Sequence, residues 1–403
     1  MPDNTTAADN PPPQNAALVL LGGGARTAYQ AGVLGGVGEI LQAQGWPAQR
    51  NPFPVVCGTS AGAINAAYFA SRCAEWPAAL HELQTLWSTL QAHEVFGVGT
   101  GQLLRGGARW LGLMAFGWLW KQNPRALLDN TPLADTLGRR VHFDAVDAAI
   151  QSGALRALSV ATSSYTSGRH ITFFQAHPEV QPWRRPGLWG IAQPIGVEHL
   201  LASSALPFVF PATPLYGEVG PEYFGDGAMR QLAPLAPAIH LGAERALAIG
   251  VAEPHPEAGQ MRRHLPPYPS VAEIAAHAMS SVFLDTLRAD AQQAGRINRM
   301  LADLPPEVRA NLPYRPLPTL TLLPSTSIDA IAARHWHSMP RGARLLLQSV
   351  GMGTGRGSAL ASYLLFTPDY LSALVELGRA DALAQRDAIT AFFNLTAPDP
   401  HCA

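Results

Sequence analysis

Charge is scarce in this chain. Asp, Glu, Lys and Arg together make up 14% of its 403 residues, and the formal net charge is −1. There is no broad basic field to draw in nucleic acid, so that partner class is excluded. Cysteine is rarer still. Cys57, Cys73 and Cys402 have neither metal-ligand nor redox spacing and form no disulfide framework, which suits a reducing cytoplasm. Long apolar runs are missing as well, since none reaches the ~18 uncharged residues a membrane span needs. The longest candidate, Trp110–Trp120 (WLGLMAFGWLW), has eleven residues between Arg109 and Lys121. The first fifteen residues, MPDNTTAADNPPPQN, have no basic stretch followed by an apolar one. They read as a disordered tail and not as a signal peptide.

Apolar residues make up 47% of the chain, enough for a large core. Ala17–Leu21 reads as a buried strand, Gly22-Gly23-Gly24 as a turn, and Val33, Leu34, Val37, Ile40 and Leu41 as the apolar face of an amphipathic helix. A second strand, Val55–Cys57, leads through another glycine turn into a small-residue helix. Strand, helix, strand, helix predicts a parallel sheet with crossover helices. Further strands are expected at 155–166, 170–175, 223–224 and 245–251, and a helix over Val197–Leu206 that stops at Pro207. Residues 253–270 contain five prolines and read as a linker. Beyond them, 271–403 reads as a mainly helical extension with one strand at 319–323.

Three glycine-flanked motifs carry the chemistry. Gly58-Thr59-Ser60-Ala61-Gly62 lies after a strand and before a helix, the setting of a nucleophile elbow. A tight βα turn with packing glycines is the plain alternative, and the decision rests on finding a base and an oxyanion hole. The loop Leu21-Gly22-Gly23-Gly24-Ala25-Arg26 could cradle a dinucleotide. That reading requires a third glycine and an acidic residue after the second strand, and the chain has Thr27 and Gly58-Thr59-Ser60 in those places. The same loop can present backbone N–H groups to an oxyanion, with Ala61 as a further donor. Arg26 is open to three roles: steadying the loop, facing a phosphate, or simply lying on the surface. For the base, no histidine after Asp226 lies in a glycine turn at a strand end. Asp226 does, in Phe224-Gly225-Asp226-Gly227-Ala228, although Asp-Gly turns are common.

Taken in order, LGGGAR, GTSAG and DGA resemble the patatin-like phospholipases. The likeness extends to Ala202-Ser203-Ser204-Ala205-Leu206-Pro207 and covers roughly residues 16–252. The C-terminal stretch looks like an extension found in a bacterial subgroup. The resemblance implies a three-layer α/β/α fold with a mostly parallel central sheet. It also implies a lipid acyl hydrolase with a Ser60 nucleophile, an Asp226 base and no histidine. Its oxyanion hole would be drawn from Gly22, Gly23, Gly24, Ala25, Arg26 and Ala61, with Gly58, Gly62, Gly227 and Ala228 shaping the turns. Two departures stand out: Thr27 where a glycine is usual, and Ala228 in place of a commoner glycine. Neither removes a reacting group.

A carboxylate near its ordinary pKa of ~3.9 is a weak base, so Asp226 needs a desolvated setting to act at neutral pH. The implied partner is a lipid or acyl ester, with transient contact to a membrane surface. No metal, cofactor or nucleic acid is expected, and the implied location is cytoplasmic, peripheral at the inner membrane surface. The tryptophan-rich segment 97–121 is expected to be either a cap over the site or a membrane contact. The competing reading is a non-catalytic lipid-binding or regulatory protein on the same fold.

Overall fold

The computed structural model describes residues 15–97, 126–217, 220–252, 286–342, 344 and 362–395. Its strands are β1 (Ala16–Leu20), β2 (Val55–Thr59), β3 (Ala157–Ser164), β4 (His170–Ala176), β5 (Trp183–Arg185), β6 (Leu188–Ala192), β7 (Thr213–Gly217), β8 (Gly220–Asp226), β9 (Arg245–Ile249) and β10 (Thr319–Leu322). They form one sheet in the order β10-β9-β1-β2-β3-β4-β6-β5, with β8 pairing β3 and β7 pairing β8. The five strands from β10 to β3 are mutually parallel. The antiparallel pairs are β3–β4, β3–β8, β5–β6 and β7–β8. The expected proline-rich linker, 253–270, and the start of the long helix after it lie outside the described residues.

The layers follow from the strand sequences. Central strands are buried at every position, and the pleat sends alternate side chains to opposite faces. In β1, Ala16, Leu18 and Leu20 enter one core while Ala17 and Val19 enter a second. β9 divides in the same way, with Leu247 and Ile249 on the first face and Ala246 and Ala248 on the second. The first core takes in the helices α1 (Ala28–Ala43), α2 (Ala61–Ala70) and α3 (Trp76–Thr89) and the helix Pro368–Ala384. The second is packed by the helices Ala236–His240 and Thr286–Ala302, which supply Ala238 and Leu287. This is the three-layer α/β/α arrangement with a mostly parallel sheet. The strand β10, from the C-terminal part of the chain, completes one edge. Among the described residues no helix is long and apolar enough to cross a membrane.

The helix α1 differs from its sequence reading. The periodicity of α1 predicts a polar outer face, yet only Glu39, Gln42 and Ala43 of this helix are exposed. The helix Pro368–Ala384 lies along its outer side, so α1 has no solvent face to make polar. Glycine permits the approach. A Cβ on Gly32 would stand 2.0 Å from the Val375 carbonyl oxygen, and one on Gly378 would stand 2.1 Å from that of Tyr29. The Tyr29 hydroxyl then reaches Asp381 Oδ2 at 3.0 Å. Burial and that carboxylate push the tyrosine's pKa up, so it stays protonated.

The expected outcome of Gly378→Ala follows from two opposed effects. In a helix interior alanine is favoured over glycine by ~1 kcal/mol. Overpacking a rigid contact costs typically ~1–3 kcal/mol or more, and the obstacle here is backbone. We expect net destabilisation, read as a lower denaturant midpoint with unchanged slope. A stabilised variant would show that the two helices can separate freely.

Candidate active site

Ser60 and Asp226 lie 166 positions apart in sequence, and strand register brings them together. Thr59, the last residue of β2, pairs with Ala161 on β3. β8 takes up the pairing one residue further along, with Asp226 opposite Thr162. Because β2 runs parallel to β3 and β8 antiparallel to it, the two strands arrive end to end at the same point. Each then turns abruptly, β2 into α2 and β8 into the 3-10 turn Gly227–Arg230. Gly227 is required there, since a Cβ would stand 2.2 Å from the Ala161 carbonyl oxygen.

The elbow has the strained geometry expected of it. Ser60 sits at φ 55° and ψ −133°, a region that non-glycine residues rarely occupy. The turn is tight enough that a Cβ on Gly62 would lie 2.4 Å from the Leu20 and Leu21 carbonyl oxygens. The Ser60 hydroxyl donates to Asp226 Oδ2 at 2.6 Å. Asp226 is fully buried, and its Oδ1 accepts the Ala228 amide at 3.0 Å. Burial dominates and raises its pKa to about 7, opposed by the Ser60 hydroxyl and then the Ala228 amide. The desolvated setting a carboxylate base requires is therefore present.

The glycine-rich loop lies beside this pair. Gly24 and Ala61 line the same pocket as Ser60 and Asp226. Ala61 is the first residue of α2, so its N–H has no acceptor within the helix. The loop's other members are placed differently. The Arg26 amide closes the 3-10 turn onto the Gly23 carbonyl at 3.2 Å. Its side chain, read from sequence as a candidate for the surface, is fully buried. Nε donates to Ser362 Oγ at 2.8 Å, Nη2 to Asp329 Oδ1 at 2.5 Å, and the guanidinium stacks 4.2 Å from the Tyr363 ring centroid. Arg26 thus ties the loop to the C-terminal part of the chain. The same part covers the loop itself, because a Cβ on Gly24 would meet the Tyr363 carbonyl oxygen at 2.3 Å.

The pocket that Ser60 faces is apolar. Ile64, Leu86, Trp87, Leu90, Leu133 and Phe366 are among its walls. Among the described residues no histidine lines it. His240 stacks on Trp183, and His335 faces the Tyr370 ring. His170 is buried, which lowers its pKa to about 4, and the Gly227 backbone opposes that shift. The tryptophan-rich stretch Trp110–Trp120 lies outside the described residues. Among the described residues no group of His, Cys, Asp and Glu is placed to hold a metal.

Ser203 is a site residue that the sequence reading quoted in a motif but gave no role. Its hydroxyl accepts the Ser60 amide at 2.8 Å and donates to the Ala161 carbonyl at 2.6 Å. It therefore fixes the elbow against β3 from a fully buried position at the end of the helix Val197–Ser203. That helix ends three residues before the expected stop at Leu206, ahead of Pro207, and Asp226 N–H bonds to the Ala205 carbonyl at 3.1 Å. Ser203→Ala leaves the buried Ser60 amide without its acceptor. We expect a loss of about 1–3 kcal/mol in unfolding free energy, measured by denaturant titration, and a smaller loss in Ser203→Thr.

The patatin-like phospholipase family profile matches residues 18–239, which include the glycine-rich loop, the elbow and Asp226. No curated protein sequence matches the chain. Among solved structures, VipD from Legionella pneumophila is similar over 93% of this chain and 67% of its own, at 14% identity and a TM-score of 0.35. The profile spans more than half of the 403 residues, and the chain belongs to the patatin-like phospholipase family, a family of lipid acyl hydrolases.

Proposed function

We propose that this protein cleaves carboxylic esters of lipids through a Ser60–Asp226 dyad and an acyl-serine intermediate. The observation that carries the reading is the 2.6 Å bond between a strained elbow serine and a buried carboxylate, both lining an apolar pocket. Ser60 Oγ attacks the ester carbonyl carbon, and its proton passes to Asp226. The oxyanion forms against the amides of Gly24 and Ala61, with Gly22 and Gly23 shaping the loop. When the tetrahedral intermediate collapses, the ester bond breaks and the departing alkoxide takes the proton from Asp226. Water then attacks the acyl-serine with Asp226 again taking a proton. That proton returns to Ser60 as the fatty acid leaves. The acyl chain occupies the apolar pocket throughout. The substrate is a lipid or other acyl ester met at a membrane surface.

Two expected outcomes test the dyad. Ser60→Ala should lower hydrolysis of p-nitrophenyl octanoate by several powers of ten and abolish labelling by a fluorophosphonate probe, while the thermal transition persists. Asp226→Asn should fall nearly as far, because the pair acts as a unit. A folded Ser60→Ala protein with near-normal turnover would sink the assignment.

The raised pKa of Asp226 sets the pH behaviour. Only the carboxylate can take the serine proton, so kcat/KM should climb with pH and level off above about 7. Stability moves the other way. The folded value lies above the ordinary 3.8, so between those values the folded chain holds a proton that the unfolded chain has released. The contribution of Asp226 to stability is therefore present at low pH, declines as pH rises to about 7 and is absent above that. Asp226→Asn should flatten this slope in denaturant titrations at a series of pH values. An unchanged slope would show that Asp226 does not titrate in this window.

A further inference from the structure

Tyr68 is the last residue of α2 that lines the pocket beside Ser60. α2 lines one wall with Ala61, Ile64 and Tyr68, and the helix Thr131–Arg140 lines the facing wall with Leu133, Leu137 and Arg140. The two stripes stop together. Arg72, just beyond α2, donates from Nη2 to the Arg140 carbonyl at 2.8 Å and lies 4.0 Å from the centroid of the Tyr68 ring. It also donates from Nη1 to Ser71 Oγ at 2.9 Å and pairs with Glu82 at 3.2 Å. The Tyr68 hydroxyl reaches Glu82 Oε2 at 3.5 Å. Tyr68 is thus a buried plate at the end of the α2 stripe, held by Arg72, and its charged neighbours are Arg72, Glu82 and Arg140.

Helix geometry gives the distance from Ser60 to this plate. Ser60 caps α2 and Tyr68 follows eight residues later. At ~1.5 Å per residue, less the tilt of the ring towards the helix N-terminus, the span is about 10–12 Å. An extended alkyl chain built from ~1.5 Å bonds advances ~1.25 Å per carbon, so the span holds roughly eight to ten carbons. Resting on the acyl-hydrolase reading, we propose that Tyr68 is the ruler of this pocket and that the protein selects medium-chain acyl groups of about eight to ten carbons. A shorter chain leaves apolar wall unfilled and forfeits roughly fourfold in kcat/KM per missing methylene. A longer chain must fold back or strip water from the charges around Tyr68, which is costly.

The test is kcat/KM of the full chain on p-nitrophenyl butyrate, octanoate, laurate and palmitate, for wild type, Tyr68→Ala and Ile64→Trp. Wild type should be fastest on octanoate and at least tenfold slower on palmitate. Tyr68→Ala opens the end of the α2 stripe and should move the maximum to laurate or palmitate. Ile64→Trp fills the pocket a turn nearer Ser60 and should move it to butyrate. If Tyr68→Ala has no thermal transition, Tyr68→Leu replaces it. A wild-type rate that climbs steadily to palmitate would overturn the ruler and leave the hydrolase reading standing. So would a maximum unmoved in folded variants at both positions. No hydrolysis at any chain length would overturn that reading and the ruler with it.

Discussion

A carboxylate taken fully out of water, with no cation beside it among the described residues, is the constraint around which this molecule is arranged. Burial alone would neutralise Asp226, and only the Ser60 hydroxyl and the Ala228 amide oppose that. The balance leaves the group poised near neutrality, where it can both take and return a proton. The arrangement depends on position. The serine must stand at one strand's end and the aspartate at another's, and β3 is the ruler against which both are set. Ser203 then fastens the elbow to the same strand. A shift of one residue in either pairing would send the side chain to the other face of the sheet.

The C-terminal part of the chain is built into this site and is not appended to it. Arg26 reaches Asp329 and Ser362 across more than 300 positions, and Tyr363 packs directly on Gly24. A buried guanidinium is costly unless it is bonded, so cutting this tie would penalise the loop that lies beside Ser60. Tyr363, Leu364 and Phe366 also line the apolar pocket. The helix Pro368–Ala384 covers α1 through facing glycines. By comparison, the surface pair of Arg379 with Glu39, at 2.6 and 2.8 Å, contributes little because water competes for both partners.

Much of this was legible in the amino-acid order. GTSAG after an apolar run marks the elbow because few other settings need glycine on both sides of a serine at a helix start. The alternation of strands and helices gives the parallel core, and Asp226 stands out as an acidic residue in a glycine turn at a strand end. Local chemistry determines these features, and local sequence reports them. Sequence also shows the missing acidic partner that disfavours a dinucleotide reading of the Gly22–Gly24 loop.

What only tertiary structure decided are the relations between distant segments. The hydrogen bond from Ser60 to Asp226 depends on two strands ending at one point on a third, and no pattern within either motif encodes that register. The burial that lifts the Asp226 pKa belongs to the surroundings and not to the residue. Arg26 reads as a candidate surface residue because its partners, Asp329 and Ser362, lie on a distant part of the chain. The helix α1 reads as amphipathic because periodicity reports its apolar face but not the second helix that covers the other side. The plate formed by Tyr68 depends on Arg72 meeting the end of a separate helix. Sequence thus determined the candidate site residues and the turns that carry them, because those follow from short-range sterics. Tertiary structure decided the distances between them, because long-range packing alone sets which segments share a pocket.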